Sequence, residues 1–570
     1  MSAEEEADLE NEISSSTPSR PRGGWRAVFF IIGNESFERL ASMGLIMNLS
    51  VYLKIKYNMY GVFLINVVSI WGGSCNILPL FGAFIAEKYL GRFKTLLLGC
   101  SASFVGMSMM ALTAGIPQLR PAACDPLQPK LDCPEPAAGH LSFLFVALGF
   151  LAIGAGCIRP CCIAFGADQF QVGTEKGRKN LQSFFNWWYL SFTATLILAL
   201  SVVVYIQTKV SWVVGLAIPA GCLALSVVIF VIGLPTYVMM KPQGSVYSDL
   251  AKVIVAAVRK SRMRGRGDSG TSPSFYDPPL PESDPPVTKL HHTERFRFLD
   301  KSCLITDPSE LNAQGLPAKR WKLCSVQQVE QFKCLVSIAP VWASGIACFL
   351  VMDQQTVNGI LQAIQSNQAA GRNFKIPPGW AGLTSMIVLS FWIFLYETVA
   401  PYISRKLQGK RCKRLTIQQR MNLGIITSIA AMIVAGIVEK RRRDMALRSG
   451  SFISPMSMAF LLPQFALSGL VEAFAAIAVM ELLTSHVPEG LRTVGGAVYF
   501  FSMSIASYLT SSIVSLVHGL TEKNGRTPWV GGRDLNAGRL DYYYYIIAAV
   551  GLLNLLYFNL FAKKCMSVAL

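Results

Sequence analysis

Charge is scarce in this chain. Only 15% of its 570 residues are Asp, Glu, Lys or Arg, while 52% are apolar; an ordinary soluble protein carries about 25% charged residues. That balance excludes a string of soluble domains and predicts a polytopic protein that uses a lipid bilayer as solvent. Histidine is rare, at 5 residues, and the 14 cysteines show no CxxC or Cys/His spacing, so no metal site is expected. Neither HExxH nor GxSxG occurs, which removes the common hydrolase constellations. We therefore expect no enzyme and no cofactor. No secretory leader is expected either. The first two dozen residues are polar and carry the acidic run Glu4-Glu5-Glu6 and then Glu12, so the N-terminus is expected in the cytosol. The net charge of +18 does not predict a nucleic-acid partner, because the basic residues lie in short clusters between apolar runs.

What the chain has in abundance is apolar length. Twelve segments approach the ~20 residues a spanning helix requires. They fall at about 27–53, 61–87, 94–115, 141–166, 184–207, 212–235, 332–362, 380–402, 420–438, 456–484, 493–518 and 541–562. Six precede a polar insert and six follow it, a pattern that suggests two related bundles around a midplane site. The expected layout is an acidic tail (1–26), an N-terminal bundle (27–240), a cytosolic linker (241–331), a C-terminal bundle (332–562) and a cytosolic tail (563–570). From Lys241 to Ser325 the insert holds 14 Lys/Arg and 9 Asp/Glu. Its first part repeats apolar residues at helical spacing through Leu250, Val253, Ile254, Ala257 and Val258, predicting an amphipathic helix on the inner membrane surface. Its middle, Ser261 to Pro286, reads as disordered.

Charge orients the spans. With the N-terminus inside, inner loops carry Arg92 and Lys94, Lys176 to Lys179, the insert, and the cluster from Arg405 to Arg414. Lys440-Arg441-Arg442-Arg443 is an exception and is expected in an outer loop. Cys124 and Cys133 lie in the outer loop after the third span, either as a disulfide or as two free thiols.

The first span contains Glu35-Ser36-Phe37-Glu38-Arg39. An ionised side chain within a membrane helix costs about 3 kcal/mol on insertion scales, and such residues usually line a polar path. Positions i, i+3 and i+4 share a helix face, so Glu35, Glu38 and Arg39 are expected to point the same way, as a proton-handling set.

Several further strings appear in order: Gly82-Ala-Phe-Ile-Ala-Glu87-Lys-Tyr-Leu-Gly91-Arg92-Phe-Lys94-Thr95, Phe165-Gly-Ala-Asp168-Gln-Phe170, Phe184-Phe-Asn-Trp187-Trp188-Tyr189 and Asp534-Leu-Asn536. With the first-span motif they resemble the plant nitrate/peptide transporter family, within the proton-dependent oligopeptide transporters. Lys289-Leu-His291 and Phe296-Arg-Phe-Leu-Asp300-Lys301 resemble its low-affinity nitrate and glycoside-carrier branch. The resemblance implies an all-α membrane protein of the major facilitator superfamily, with twelve transmembrane helices in two six-helix bundles. It implies a proton-coupled symporter of nitrate or a small organic anion; carriers of glycosides, hormones or peptides are the alternative, and a non-transporting sensor is the alternative of another class. Protons would be the coupling ion, exchanged at Glu35, Glu38 and Arg39. Arg159 stands where the family places a basic residue facing these acids, and Glu472 matches an acid near the pocket of the tenth helix. Thr95 holds the place of a phosphorylation switch, with a protein kinase as partner. Met352 replaces a histidine that holds nitrate in one branch, and is followed by Asp353 and Gln354. Glu87 and Glu397 replace customary aspartates. The resemblance also implies a plasma-membrane location, with the vacuolar membrane as alternative and both termini cytosolic.

Physical chemistry adds roles. A carboxylate whose burial and cationic neighbours change can take up and release a proton. Arg159 stays charged and grips an oxyanion with two parallel bonds. Trp392, Tyr396 and Tyr499 offer rings and hydroxyls to an organic substrate.

Overall fold

The computed structural model describes residues 23–124, 133–170, 175–240, 246–261, 275–278, 289–307, 310–312, 315–319, 321–372, 374–396, 415–485, 492–522 and 527–564. The acidic tail, most of the linker's middle, Glu397 and the cluster from Arg405 to Arg414 lie outside these residues. So do the side chains of Asn186 and Tyr189.

Six helices form the first bundle. They are α1 (Trp25–Lys56), α2 (Gly61–Ile85), α3 (Gly91–Gly115), α4 (Ala138–Ala167), α5 (Glu175–Val210) and α6 (Trp212–Ile232). A π turn at Ala86–Leu90 and Gly91, at φ 76°, join α2 to α3. The left-handed backbone is why glycine stands there. Helices α2, α3 and α4 approach closely through small residues. A Cβ on Gly82 would overlap the Gly156 carbonyl, and one on Gly154 would overlap the Ser103 hydroxyl. Small residues let helix backbones meet where lipid supplies no hydrophobic drive between them.

Between the bundles lies α7 (Val246–Ser261). It forms where the amphipathic pattern predicts, but Val253, Ala256 and Ala257 bury against Leu299, Cys303, Cys324 and Val329. Its most apolar stripe thus packs on the linker and the next membrane helix, leaving Ile254 and Val258 exposed. The second bundle comprises α8 (Val326–Ile364), α9 (Trp380–Phe394), α10 (Ile417–Ser449), α11 (from Leu462 to Ser485), α12 (Arg492–Thr521) and α13 (Leu540–Tyr557). Ser325 and Thr416 cap α8 and α10, each with a Gln three residues on that closes a capping box.

One expectation needs correction. The ninth span does not stop near residue 438; α10 runs to Ser449, where Gly450 ends it in the left-handed conformation. Lys440 to Arg443 are therefore helical, and Arg442 turns inward and is fully buried. Its guanidinium pairs with Glu439 one turn earlier, at 2.7 and 2.8 Å, so a charge that reads as loop is a core residue.

Cys124 and Cys133 are joined as a disulfide, which marks one end of the molecule. The bundles meet on that side. A Cβ on Gly61 would overlap the Gly531 carbonyl, and Asn66 accepts from Ser511 at 2.8 Å. Tyr508 packs on Gly73, while Tyr205 stacks near Phe374 and Trp380 at 6.3 Å.

Candidate functional site

The five-residue motif of α1 does not present one face. Glu35 and Arg39 turn toward α5, in a small space bounded by Ser36, Trp188, Ser191 and Phe192. Arg39 pairs with Glu35 at 3.5 Å and lies 5.1 Å from the Phe192 ring centroid. Trp188 donates its indole N–H to the other Glu35 oxygen. Glu38 turns instead toward α2, α3, α4 and α6. The reason is helical geometry: residues 38 and 39 are consecutive and diverge by about 100° at ~3.6 residues per turn. Position 35 sits between them and shares an edge with both, but here it goes with Arg39.

Glu38 shares its cavity with Arg159, Ser42, Trp71, Cys75 and Ser103, and the cavity measures about 20 Å³. That is room for about one water. Glu38 is buried, and among the described residues neither it nor Arg159 forms an ion pair. Arg159 is held from behind: one nitrogen donates to the Cys75 carbonyl at 3.1 Å and to Asn76 at 2.7 Å. Its guanidinium lies 5.9 Å from the Phe500 ring of the other bundle. Pro160 follows within the same helix.

In the second bundle Glu472 opens a π turn, Glu472–Ala476, inside α11, and among the described residues it forms no ion pair. A π turn widens the helix locally and often marks a functional place. Tyr499 lies nearby on α12, edge-on to Phe349 at 5.5 Å, and Trp392 meets Phe474 edge-on at 4.9 Å. Asp353 accepts from Ser507 at 2.8 Å, and its second oxygen is buried with no hydrogen-bond partner among the described residues. Met352 is partly buried against the apolar core of the bundle.

Three expected residues are placed elsewhere. Gln354 is fully buried; it donates to Thr510 at 3.2 Å and accepts from Asn358 at 2.7 Å and Tyr543 at 3.1 Å, which turns it into the bundle. Tyr396 uses its hydroxyl to accept from the Leu415 amide at 2.8 Å, ahead of α10. Thr95 is fully buried, and its hydroxyl donates to the Gly91 carbonyl at 2.9 Å, so this conformation presents no acceptor hydroxyl to a kinase. Nearby, Arg92 pairs with Asp168 and ties the start of α3 to the end of α4. Burial pushes the Asp168 carboxyl up from its ordinary value, while Arg92 opposes that shift.

Motif reading also missed a polar network inside the second bundle. Gln362 donates to Glu439 at 2.8 Å and accepts from Gln464 at 2.8 Å and Tyr544 at 2.9 Å. Arg442 donates to Asn536 at 2.9 Å. The signal was present as Gln354, Gln355 and Gln362 within one apolar span and Gln365 just past its end, since polar side chains in a membrane helix seek one another.

The family model "PTR2: POT family" matches residues 93–530. The chain belongs to the POT family. It is a transporter, from a family of proton-coupled transporters, and not an enzyme. The NRT1/PTR FAMILY 2.8 protein of Arabidopsis thaliana is 52% identical over 560 residues, which are 97% of this chain and 98% of that protein. NRT1/PTR FAMILY 2.13 of the same plant is 42% identical, over 94% of this chain and 86% of that protein. Among solved structures, the POT family transporter PepTSo aligns with a TM-score of 0.66 at 17% identity, covering 95% of this chain and 98% of its own. A POT family transporter in complex with 5-aminolevulinic acid aligns at 0.61 with 13% identity, covering 96% of this chain and 99% of its own. This POT chain therefore has the two-bundle, twelve-helix fold of the major facilitator type.

Proposed function

We propose that this protein is a symporter that couples proton entry to uptake of a small anion, either nitrate or a small organic anion. The observation that carries the reading is the unpaired couple of Glu38 and Arg159 across a water-sized cavity. A carboxylate whose burial and cationic neighbours change as the protein changes conformation can take up and release a proton. A guanidinium held from behind by neutral acceptors keeps its remaining donors for an incoming oxyanion.

In this reading Glu38 exchanges the proton and Arg159 receives the substrate's anionic group. Glu35 and Arg39 hold α1 against α5 and set the field at Glu38. Glu472 and Asp353 supply acids on the second bundle, and Met352, Tyr499 and Trp392 give apolar and aromatic contact to an organic body. The rings support an organic anion more than a bare ion, and the methionine at the place of the nitrate-holding histidine does the same. The ligand named for one fold neighbour, 5-aminolevulinic acid, is a small charged molecule.

The test is pH-gradient-driven uptake in vesicles carrying the full chain, screened with nitrate, carboxylates and neutral glycosides. Arg159→Ala should lower uptake of anions at least about 10-fold, the loss of one charge-assisted contact of ~1.5–3 kcal/mol, and leave neutral compounds within about 2-fold. Equal losses for both classes would overturn the assignment of Arg159. Uptake indifferent to the gradient would overturn proton coupling.

A further inference from the structure

Helices α2 and α4 lie side by side, close in one half and apart in the other. Away from the disulfide, a Cβ on Gly156 of α4 would overlap Leu78 of α2. The start of α2 is at the disulfide side: Asn58, just before it, donates to the Ala122 and Pro134 carbonyls that flank the cystine, both at 3.1 Å. In that half the two helices leave a crevice of about 480 Å³. Phe63, Val67 and Ile70 of α2 and Phe145 and Leu148 of α4 line it. Phe63, Ile70 and Phe145 are exposed, as apolar side chains that face lipid are. Gly149 lines it too, and a Cβ there would meet nothing within 4 Å.

Three polar side chains line the crevice, and each is already bonded within the protein. Asn66 accepts from Ser511 at 2.8 Å and donates to Ser515 at 3.1 Å. Ser74 donates to the Ile70 carbonyl at 2.8 Å. The Trp71 indole donates to the Leu148 carbonyl at 3.0 Å, which ties α2 to α4 across the crevice. The lining therefore asks for a body without polar groups. Length narrows the class further. From Phe63 to Ser74 the crevice follows α2 for ~16 Å at ~1.5 Å per residue, about half of a hydrocarbon core ~30 Å thick. It starts where α2 enters the bilayer and ends near the midplane, the depth of one leaflet.

We propose that the α2–α4 crevice is a binding site for one acyl chain of a phospholipid in the disulfide-side leaflet, with Trp71 as the wall between that chain and the Glu38–Arg159 cavity. Trp71 lines both spaces. An extended chain matches the depth of the crevice, its apolar lining and its bonded polar groups; a sterol would bring a hydroxyl that finds no partner waiting. The surrounding bilayer supplies the ligand, because the crevice opens beside the exposed Phe63, Ile70 and Phe145. The assignment stands apart from the choice of transported solute.

The experiment reads tryptophan fluorescence of the full chain in phosphatidylcholine vesicles as lipid brominated at mid-chain replaces ordinary lipid; bromine quenches an indole only at contact. Subtracting the signal of the Trp71→Phe protein isolates Trp71. Expected is a fall in the Trp71 signal that is linear in the brominated fraction, since one resident chain either carries bromine or does not. A shell of several exchanging lipids gives instead a curve that falls steeply at first. Gly149→Phe, whose ring fills the crevice, should cut the quenching of Trp71 several-fold and leave the other tryptophans quenched as before. Gly149→Leu serves where the larger ring unfolds the protein. A Trp71 signal that brominated lipid leaves intact, a steeply curved fall, or unchanged quenching in the Gly149 variants would each overturn the proposal. Quenching by a brominated sterol and not by brominated lipid would make the occupant a sterol and overturn it as well.

Discussion

At the scale of single residues, the division of one motif between two faces of α1 separates two roles. Glu35 is engaged by Arg39 and by the Trp188 indole, whereas Glu38 faces a cavity and, among the described residues, forms no ion pair. Substituting each by glutamine should therefore give different outcomes. Glu38→Gln removes the exchangeable proton but keeps the shape of the protonated acid. Gradient-driven accumulation should fall to background, substrate exchange at equal pH on both sides should persist, and Tm should stay within a degree or two of wild type. Glu35→Gln leaves Arg39 mostly buried without its counter-charge, a change that costs about 3 kcal/mol when full and less for a partly exposed group. That variant should unfold several degrees earlier. Equal thermal loss in both variants, or full accumulation by Glu38→Gln, would show that the two acids are not divided in this way.

At the scale of elements, the α10 pair of Glu439 and Arg442 joins α8, α11 and α13 through Gln362, Gln464 and Tyr544. Breaking a buried ion pair from one side leaves the other charge uncompensated, at about 3–5 kcal/mol. Arg442→Met should lower Tm markedly and reduce yield, while Glu439→Met combined with Arg442→Met should recover part of the loss; a melt of the three proteins in detergent checks the order. If the double variant were the least stable, the hydrogen bonds to the glutamines would outweigh the charges. These elements also show what the sequence makes legible. Span number, the polar insert and the charged first helix follow from apolar length and helical period, because a long apolar run that spans lipid satisfies its own backbone polar groups as a helix. Three things escape that logic: the facing of Glu38, the inward turn of Arg442 and the burial of Thr95. Each depends on which neighbour a side chain meets, and the pattern of one helix holds no record of its neighbours. Arg442 escaped because a basic run ordinarily marks a loop. Gln354, Gln355 and Gln362 in the second half of α8, with Gln365 just past its end, could have corrected that reading, since they need a polar partner inside the bundle.

At the scale of the whole molecule, alternating access requires that contacts on the disulfide side form and part. Gly61 is the tightest of these contacts on two counts. Its φ of 68° is left-handed, which L side chains rarely adopt, and a Cβ there would overlap the Gly531 carbonyl of the other bundle. Gly61→Ala therefore opposes the closed seam by both strain and overlap, while the isolated first bundle feels the strain alone. A change of ~1–2 kcal/mol shifts a two-state population by roughly 5- to 30-fold. The seam provides its own reporter, because Asn66 and Ser511 meet across it at 2.8 Å. Cysteines placed at both positions should be joined by a short thiol reagent in the parent protein, and joining them should stop transport by locking that side. Adding Gly61→Ala should cut the joining rate several-fold and raise labelling of the same cysteines by a membrane-impermeant reagent from the disulfide side. Gly496→Ala serves as the control, since nothing lies within 4 Å of its added Cβ; it should leave both rates unchanged. An unaltered joining rate in Gly61→Ala would mean that the bundles pivot elsewhere, and that the close approach of Gly61 to Gly531 is a consequence of closure without weight in its energetics.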